Sequence, residues 1–360
     1  MEQLIGNPSV IKRLNKDVVE KVIRDEGPIT KPAIAKRTDL SLVTVNKLVE
    51  NLQKENKVKP SAIEQSTGGR RAQSYVINEE FNYNVVLYFE RDMYVGVVAN
   101  SIGDIVYEEE FRLPDVKKSV LEDIYRIIDV LLEKCEEHEV TAIGLGIPGV
   151  VNDGVVTSIP QIPCLEGMDV EKTLTKRYQI RVVLENDINL AARGIYCSEY
   201  KEEVDNLAVI YLEEGIGSGI IINQELFKGS SNFAGELSYL PMEESSQRVT
   251  FEERVSVIYE KLDSTQGEEW NNWKKVFCKT IRDSLISIVC ILNPEIVVLK
   301  CEHLAKEDVK LLDEMLQEYV GEENAPKLIK AQDLKRYSID GIINMCIEES
   351  KAMYLLSNGK

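Results

Sequence analysis

Apolar residues in the first part of the chain recur at helical spacing. From Val10 to Asp25, Ile11, Leu14, Val18, Val19, Val22 and Ile23 line one side of a first helix, and Gly27-Pro28 ends it. Thr30 stands ahead of Lys31-Pro32-Ala33-Ile34-Ala35-Lys36-Arg37. A capping hydroxyl followed by proline in the first turn predicts a short second helix, ending near Thr38-Asp39. Ser41 opens a third helix with Leu42, Val45, Leu48, Val49 and Leu52 in one apolar stripe and Thr44, Asn46, Lys47 and Asn51 on other faces. Short helix, tight turn and longer amphipathic helix predict a helix-turn-helix. Beyond Lys57-Val58-Lys59-Pro60, the run Ser66–Ile77 sets Gly68-Gly69-Arg70-Arg71 between two short strands, the form of a wing.

Past residue 82 the pattern changes to alternating strands and helices. Asn84–Phe89, Tyr94–Ala99 and Ile105–Phe111 read as meandering strands, Val120–Lys134 as an amphipathic helix, and Val140–Ile147 as a continuous apolar strand running into Pro148-Gly149. Strand Ile180–Leu184 ends in Glu185-Asn186-Asp187 ahead of a helix over Ile188–Tyr200. Strands Leu207–Leu212 and Gly219–Ile222 are joined by a loop over Glu213–Ser218. A long helix Trp270–Leu292, a buried strand Pro294–Leu299, a helix Glu307–Tyr319, a short strand Leu328–Ala331 and a closing helix Ser338–Leu355 complete the pattern. The expected fold class is α/β, with domains at residues 1–80 and 81–360, the second in two lobes.

Charge sharpens that division. Residues 1–80 hold 14 basic and 11 acidic side chains and residues 81–360 hold 29 and 50, so the net charge of −18 splits into +3 and −21. The N-terminal unit alone suits a polyanion. Arg70 and Arg71 on a hairpin tip suit the minor groove, and Thr44, Asn46 and Lys47 suit base edges and phosphates of duplex DNA. Thr30, Lys31 and Ser41, at the two helix starts, complete the candidate DNA-binding set. The same module could instead dock another protein.

Seven cysteines, at 135, 164, 197, 278, 290, 301 and 346, show no ligand spacing, and His138 and His303 are the only histidines. No metal site, disulfide framework or histidine-based nucleophile is expected. His138 and His303 read as surface residues, and the acidic clusters at 108–110 and 243–244 as solvated faces. With no signal-peptide core and no membrane-length apolar run, a cytoplasmic location and no membrane partner are expected.

The chain resembles the ROK group of sugar kinases and sugar-responsive repressors, of actin-like (ribonuclease H-like) ATPase fold. The resemblance rests on Ile143-Gly144-Leu145-Gly146-Ile147-Pro148-Gly149-Val150, on Glu185-Asn186-Asp187 with Ala191-Ala192 behind it, on Gly215-Ile216-Gly217-Ser218-Gly219, and on Phe227-Lys228-Gly229 leading to Ala234-Gly235-Glu236. The winged helix ahead of them resembles the repressor branch. It implies a ligand site of Gly149, Asn186, Asp187, Gly235, Glu236 and Tyr239, the last where the family usually has histidine. Asn186 and Asp187 also fit helix caps, and Tyr239 also fits an ordinary core tyrosine.

The kinase pattern is broken at three places. Counted back from Gly103, the family's metal- and phosphate-binding Asp-x-Gly-Gly-Thr segment stands as Tyr88-Phe89-Glu90-Arg91-Asp92. A carboxylate replaces backbone that phosphate oxygens could approach. Glu214 stands where a threonine precedes the second phosphate loop, and Lys300-Cys301 replaces the glycine pair beside the adenosine. The zinc motif is also absent from Met242–Arg248, which holds no Cys or His.

These residues imply a DNA-binding regulator, of repressor type, whose degenerate kinase-like unit binds a sugar or sugar phosphate without phosphorylating it. No catalytic residue and no cofactor are expected; the expected partners are a duplex DNA operator, the effector, and a second copy in a homodimer or larger assembly. Two rivals stand beside it: an active sugar kinase with a fused DNA-binding domain, and a constitutive DNA-binding or interaction protein with a vestigial pocket.

Overall fold

The computed structural model describes residues 8–61, 72–90, 93–112, 120–159, 161–201, 203–213, 215–244 and 247–357. Pro8–Glu26 (α1), Lys31–Thr38 (α2) and Leu42–Lys54 (α3) build the N-terminal unit with Ile29–Thr30 (β1), Val58–Pro60 (β2) and Ser74–Ile77 (β3), paired in the order β1-β3-β2. The helix-turn-helix follows from its punctuation. Thr30 Oγ1 accepts from the Ala33 amide at 3.4 Å ahead of Pro32, Asp39 takes a left-handed turn (φ 55°), and Ser41 Oγ accepts from the Thr44 amide at 3.1 Å. Val19, Ile23, Ile34, Val45, Val49 and Leu52 are each 1% exposed or less and form its core. The Gly68-Gly69-Arg70-Arg71 tip lies outside the described residues.

The first lobe is a five-stranded sheet, in which Tyr83–Glu90 (β4), Met93–Asn100 (β5) and Ile105–Arg112 (β6) form an antiparallel meander. Val140–Ile147 (β7) pairs parallel to β4 and is flanked on its other side by a further parallel strand. The hairpin Val150–Asn152 (β8) and Val155–Ser158 (β9) follows, and Arg181–Asn186 (β10) is that edge strand. The helices Val120–Lys134 (α4) and Val170–Tyr178 (α5) cover one face. The continuous apolar run of β7 is explained by burial on both faces. Ile143, Leu145 and Ile147 join the core under α4, while the opposite face is kept small: a Cβ on Gly144 would stand 2.5 Å from Ile342.

The second lobe is a sheet of Leu207–Glu213 (β11), Gly215–Ile222 (β12), Glu225–Leu226 (β13), Ile296–Lys300 and Lys327–Lys330, in the order β13, β12, β11 and then those two parallel strands. Pro241–Glu244 (β14) and Gln247–Thr250 (β15) form a separate hairpin, so the last two sheet strands are β16 and β17. Between the lobes lie Asp187–Ile195 (α6), which shares a core with the second sheet, and a long C-terminal helix, Lys335–Ser357, which shares one with the first. Their crossing depends on glycine. A Cβ on Gly194 would meet the Tyr337 carbonyl at 1.8 Å, and one on Gly341 the Leu190 carbonyl at 2.1 Å. Phe251–Ser264 (α7), Gly267–Leu292 (α8) and Lys306–Val320 (α9) cover the outer face of the second sheet, and Lys335–Ser357 is thus α10.

Several expectations are corrected. The helix expected to run to Tyr200 is α-helical to Ile195 and then widens into a π turn over Tyr196–Tyr200. The expected Glu213–Ser218 loop is a tight hairpin with Glu213 opposite Gly215. Helices α5 and α7 and the hairpins β8–β9 and β14–β15 were not anticipated. The histidines are packed rather than solvated: His138 stacks on Tyr83 at 4.1 Å and His303 on Tyr259 at 4.2 Å. The acidic face at 108–110 is exposed, as expected, and it also reaches α10, where Glu110 pairs with Lys335 at 3.0 Å and Glu108 with Arg336 at 3.8 Å.

Candidate functional site

A cleft of about 530 Å³ lies between the lobes, and its two ends differ in chemistry. At one end β10 runs into α6. Asn186 is the N-cap of α6: its Oδ1 accepts from the amides of Ile188 at 2.9 Å and Asn189 at 3.0 Å, and its Nδ2 donates to the Gly149 carbonyl at 3.1 Å. The capping alternative is therefore realised, leaving one amide hydrogen for a ligand. Gly149 borders the cleft, and its lack of a side chain is required, since a Cβ would stand 2.6 Å from the Ser158 carbonyl.

Asp187 is the first residue of α6, its Oδ1 accepting from the Ile188 amide at 3.0 Å. Burial pushes its carboxyl up to about 7, opposed by backbone hydrogen bonds and reinforced by Glu236 from the facing lobe. Glu236 is itself raised, by burial and then by Glu252. Two carboxyl groups that protonate readily can both donate to and accept from hydroxyl groups, which suits a polyol better than an anion. Tyr239 stands at the rim, 61% exposed, with its ring 5.2 Å from that of Phe233. It is not a core tyrosine.

Gly235 does not line the cleft as expected. It adopts φ +96°, a Cβ there would meet the Ser218 carbonyl at 2.1 Å, and its own carbonyl accepts from the Ser218 amide at 2.8 Å. Its work is to dock the Glu236 loop on β12.

Two residues of the site were quoted for the resemblance without being given a role. Glu185, 2% exposed, accepts from the Asn186 amide and from Asn189 Nδ2, both at 2.9 Å, and its other oxygen pairs with Lys228 of the opposite lobe. The Glu185–Lys228 pair and the Asn232 Nδ2 donation to the Val151 carbonyl at 2.8 Å join the lobes beside the cleft. The signal available in the sequence was a carboxylate at the end of an otherwise apolar strand.

At the other end, the position of a phosphate donor is filled by ion pairs. Glu90 holds Lys335 at 2.6 Å, and Glu213 holds Lys300 at 2.7 Å. Tyr88 is buried, its phenol shifted well above the usual range by burial and by the Asp187 charge. Arg91, Asp92 and Glu214 lie outside the described residues. Gly219, from the second phosphate loop, keeps a packing role, since a Cβ would stand 2.5 Å from the Ile188 carbonyl. The segment in the place of the zinc loop folds as β14–β15, without Cys or His. Among the described residues no cluster of His, Cys, Asp or Glu is arranged to hold a metal, and no helix is long and apolar enough to cross a membrane.

The candidate DNA-facing residues divide in the same way. Asn46 and Lys47 lie on the open side of α3, and Ser41 is exposed. Thr30 is 9% exposed and committed to its cap, which removes it from the contact set. The Thr44 hydroxyl is 2.8 Å from Ser41 Oγ, within the cap of α3, and the Lys31 ammonium sits 5.3 Å from the Tyr75 ring centre. Arg70 and Arg71 lie outside the described residues.

Residues 91–253 match the ROK family. The xylose repressor of Caldicellulosiruptor bescii is 27% identical over 65% of this chain and 60% of its own length. The DNA-binding transcriptional dual regulator NagC of Escherichia coli is 26% identical over 68% of this chain and 61% of its own. The chain thus spans about six tenths of these relatives. The crystal structure of a ROK family transcriptional regulator, a homologue of the E. coli MLC protein, superposes with a TM-score of 0.73 at 16% identity, covering 94% of this chain and 99% of that one. The fold is thus the two-lobed, actin-like one of that regulator, and residues 91–253, which carry the hydroxyl-binding end of the cleft and α6, are the part that matches the ROK family.

Proposed function

We propose that the chain is a sugar-responsive transcriptional regulator of repressor type, which binds a duplex DNA operator as a homodimer or larger assembly, takes a sugar or sugar phosphate in its cleft, and transfers no phosphate. The observation that carries this reading is the asymmetry of the cleft: the hydroxyl-binding end keeps Asn186, Asp187 and Glu236, while Lys335–Glu90 and Lys300–Glu213 fill the donor end. The names of the relatives support the same class.

Helix α6 supplies a route from ligand to DNA. It starts at the cleft, and its last turn, through Arg193, with the π turn that follows, through Tyr196 and Cys197, borders a second cavity of about 580 Å³ shared with α1. There Arg24 donates to the Ser101 carbonyl at 2.6 Å and Asp25 pairs with Lys201 at 3.6 Å. A ligand that favours one lobe arrangement moves the DNA equilibrium only as far as its affinities for the two states differ.

The test is operator titration at fixed salt with a panel of sugars and sugar phosphates that includes xylose and N-acetylglucosamine. Asp187→Ala and Glu236→Ala should each keep DNA affinity and weaken the effector response by about one to two decades, the loss of a buried hydroxyl partner. Unchanged responses in both variants would move the effector site elsewhere, and sugar-dependent ATP turnover abolished by Asp187→Asn would make the chain a kinase.

A further inference from the structure

The open face of α3 is not uniformly polar. Val45, Leu48, Val49 and Leu52 are at most 2% exposed and hold the helix against α1 and α2. On the opposite side Val43, Asn46, Lys47 and Glu50 succeed one another at i, i+3, i+4 and i+7, with Leu42 one turn before Asn46. Val43 is 66% exposed and Leu42 46%. Both lie in the first turn, directly after the Ser41 cap.

These two side chains do little for the fold. Valine is a weaker helix former than alanine, and Val43 stands outside the buried cluster of its unit. Lys47 is exposed on the same face, with Glu50 at its far end, and Lys36 is exposed on α2, in a unit that carries +3 against −21 for the rest of the chain. An apolar pair framed by an amide and ammonium groups, on the first turn of the second helix of a helix-turn-helix, matches the edge of a base-paired major groove. There the thymine 5-methyl is the one apolar group on offer, and adenine and guanine present the acceptors and donors that asparagine and lysine pair with.

We infer that Val43, with Leu42 beside it, reads thymine methyl groups in the operator half-site, and that Asn46 and Lys47 read the neighbouring purines. The inference rests on the DNA-binding reading above and adds a specificity that reading lacks. The occupant of this face is duplex DNA because it lies on the second helix of a helix-turn-helix, in the one part of the chain whose net charge is positive.

The experiment uses the full chain. Duplexes are selected from a random-sequence library, and the tightest is resynthesised with deoxyuridine in place of each thymidine, one position at a time. Deoxyuridine keeps the base pair and removes only the 5-methyl. At one or two positions in each half-site this change should weaken the parent about fourfold, the worth of one buried methyl group. Val43→Ala should bind the thymidine duplex about as weakly as the parent binds the deoxyuridine one and lose nothing further on it, whereas Val43→Thr, which keeps one methyl, should fall between. Because Val43 is exposed, both variants should melt with the parent. Deoxyuridine tolerated at every position, or equal losses for parent and Val43→Ala at every position, overturns the thymine assignment while leaving DNA binding intact. A library that yields no enriched duplex overturns the DNA-binding reading itself.

Discussion

The two ends of the cleft hold their charges in different ways. At the hydroxyl-binding end Glu185 is 2% exposed, its carboxylate accepting from the Asn186 amide and Asn189 Nδ2 and pairing with Lys228 across the lobes. At the donor end Lys335 and Glu90 are 24% and 34% exposed, a pair that water reaches, beside the more enclosed Lys300 and Glu213 at 15% and 10%. A buried charge with one cationic partner is costly to orphan, and a solvated pair is nearly dispensable. The chain thus keeps a stiff, satisfied scaffold under the groups that would hold a sugar. It fills the opposite end with side chains that exclude a polyphosphate without organising anything in its place.

The largest effect should follow from Lys228→Ala. It leaves the Glu185 carboxylate buried with neutral donors on one oxygen and no cation, which should cost about 3 kcal/mol in denaturant unfolding. Adding Glu185→Gln to that variant removes the orphaned charge and should recover much of the loss. If the single variant unfolds like the parent, the inter-lobe pair does not support the site.

A smaller effect is expected from pH. Asp187 titrates near 7 in the folded chain, far above its ordinary value of 3.8, because burial and the facing Glu236 disfavour its charged form. The sign follows from proton linkage. The folded state holds a proton that the unfolded state releases, so stability from this group is complete below about pH 4 and is lost as pH rises through about 7. Asp187→Asn cannot ionise. Between pH 5 and 8 the parent should therefore lose several degrees of melting temperature relative to the variant. Parallel melting curves across that range would mean that water already solvates the carboxylate.

Much of this architecture is legible in the sequence. The α3 stripe from Val45 onward, though not its expected first member Leu42, the apolar run of β7, the Asx pair where β10 meets α6 and the broken kinase segment at Tyr88–Asp92 are local signals, each set by residues a few positions apart. What could not be read depends on distant partners. Glu185 and Lys228 lie in different lobes, so nothing local marks them as a pair. Gly235 resembled a ligand-approach glycine, and its φ of +96° against Ser218 emerges only once the Glu236 loop is seated on β12. Thr30 offered the right chemistry for DNA, but the same hydroxyl caps α2 and is buried by β3. Helix α7 had a readable period in Phe251, Val255, Ile258 and Leu262, whereas α5 buries only Val170 and Leu174 and gives a weak one.

The smallest effect, and the sharpest test of the contrast, is Lys335→Ala. Lys335 bridges Glu90 at 2.6 Å and Glu110 at 3.0 Å, but all three are partly solvated, and such pairs are worth about 0–1 kcal/mol. Unfolding should shift by no more than that, well short of the Lys228→Ala loss. Nor should the variant gain nucleotide binding. Removing the lysine uncovers the Glu90 carboxylate where phosphate oxygens would sit, and Tyr88 remains buried behind it, so the local field becomes more hostile to a polyanion. Calorimetric titration with magnesium ATP should therefore be silent in both proteins. Heat of binding in the variant alone would mean that the ion pair, rather than the lost glycine backbone, keeps the donor end closed, and the two ends of the cleft would then differ by a latch instead of by construction.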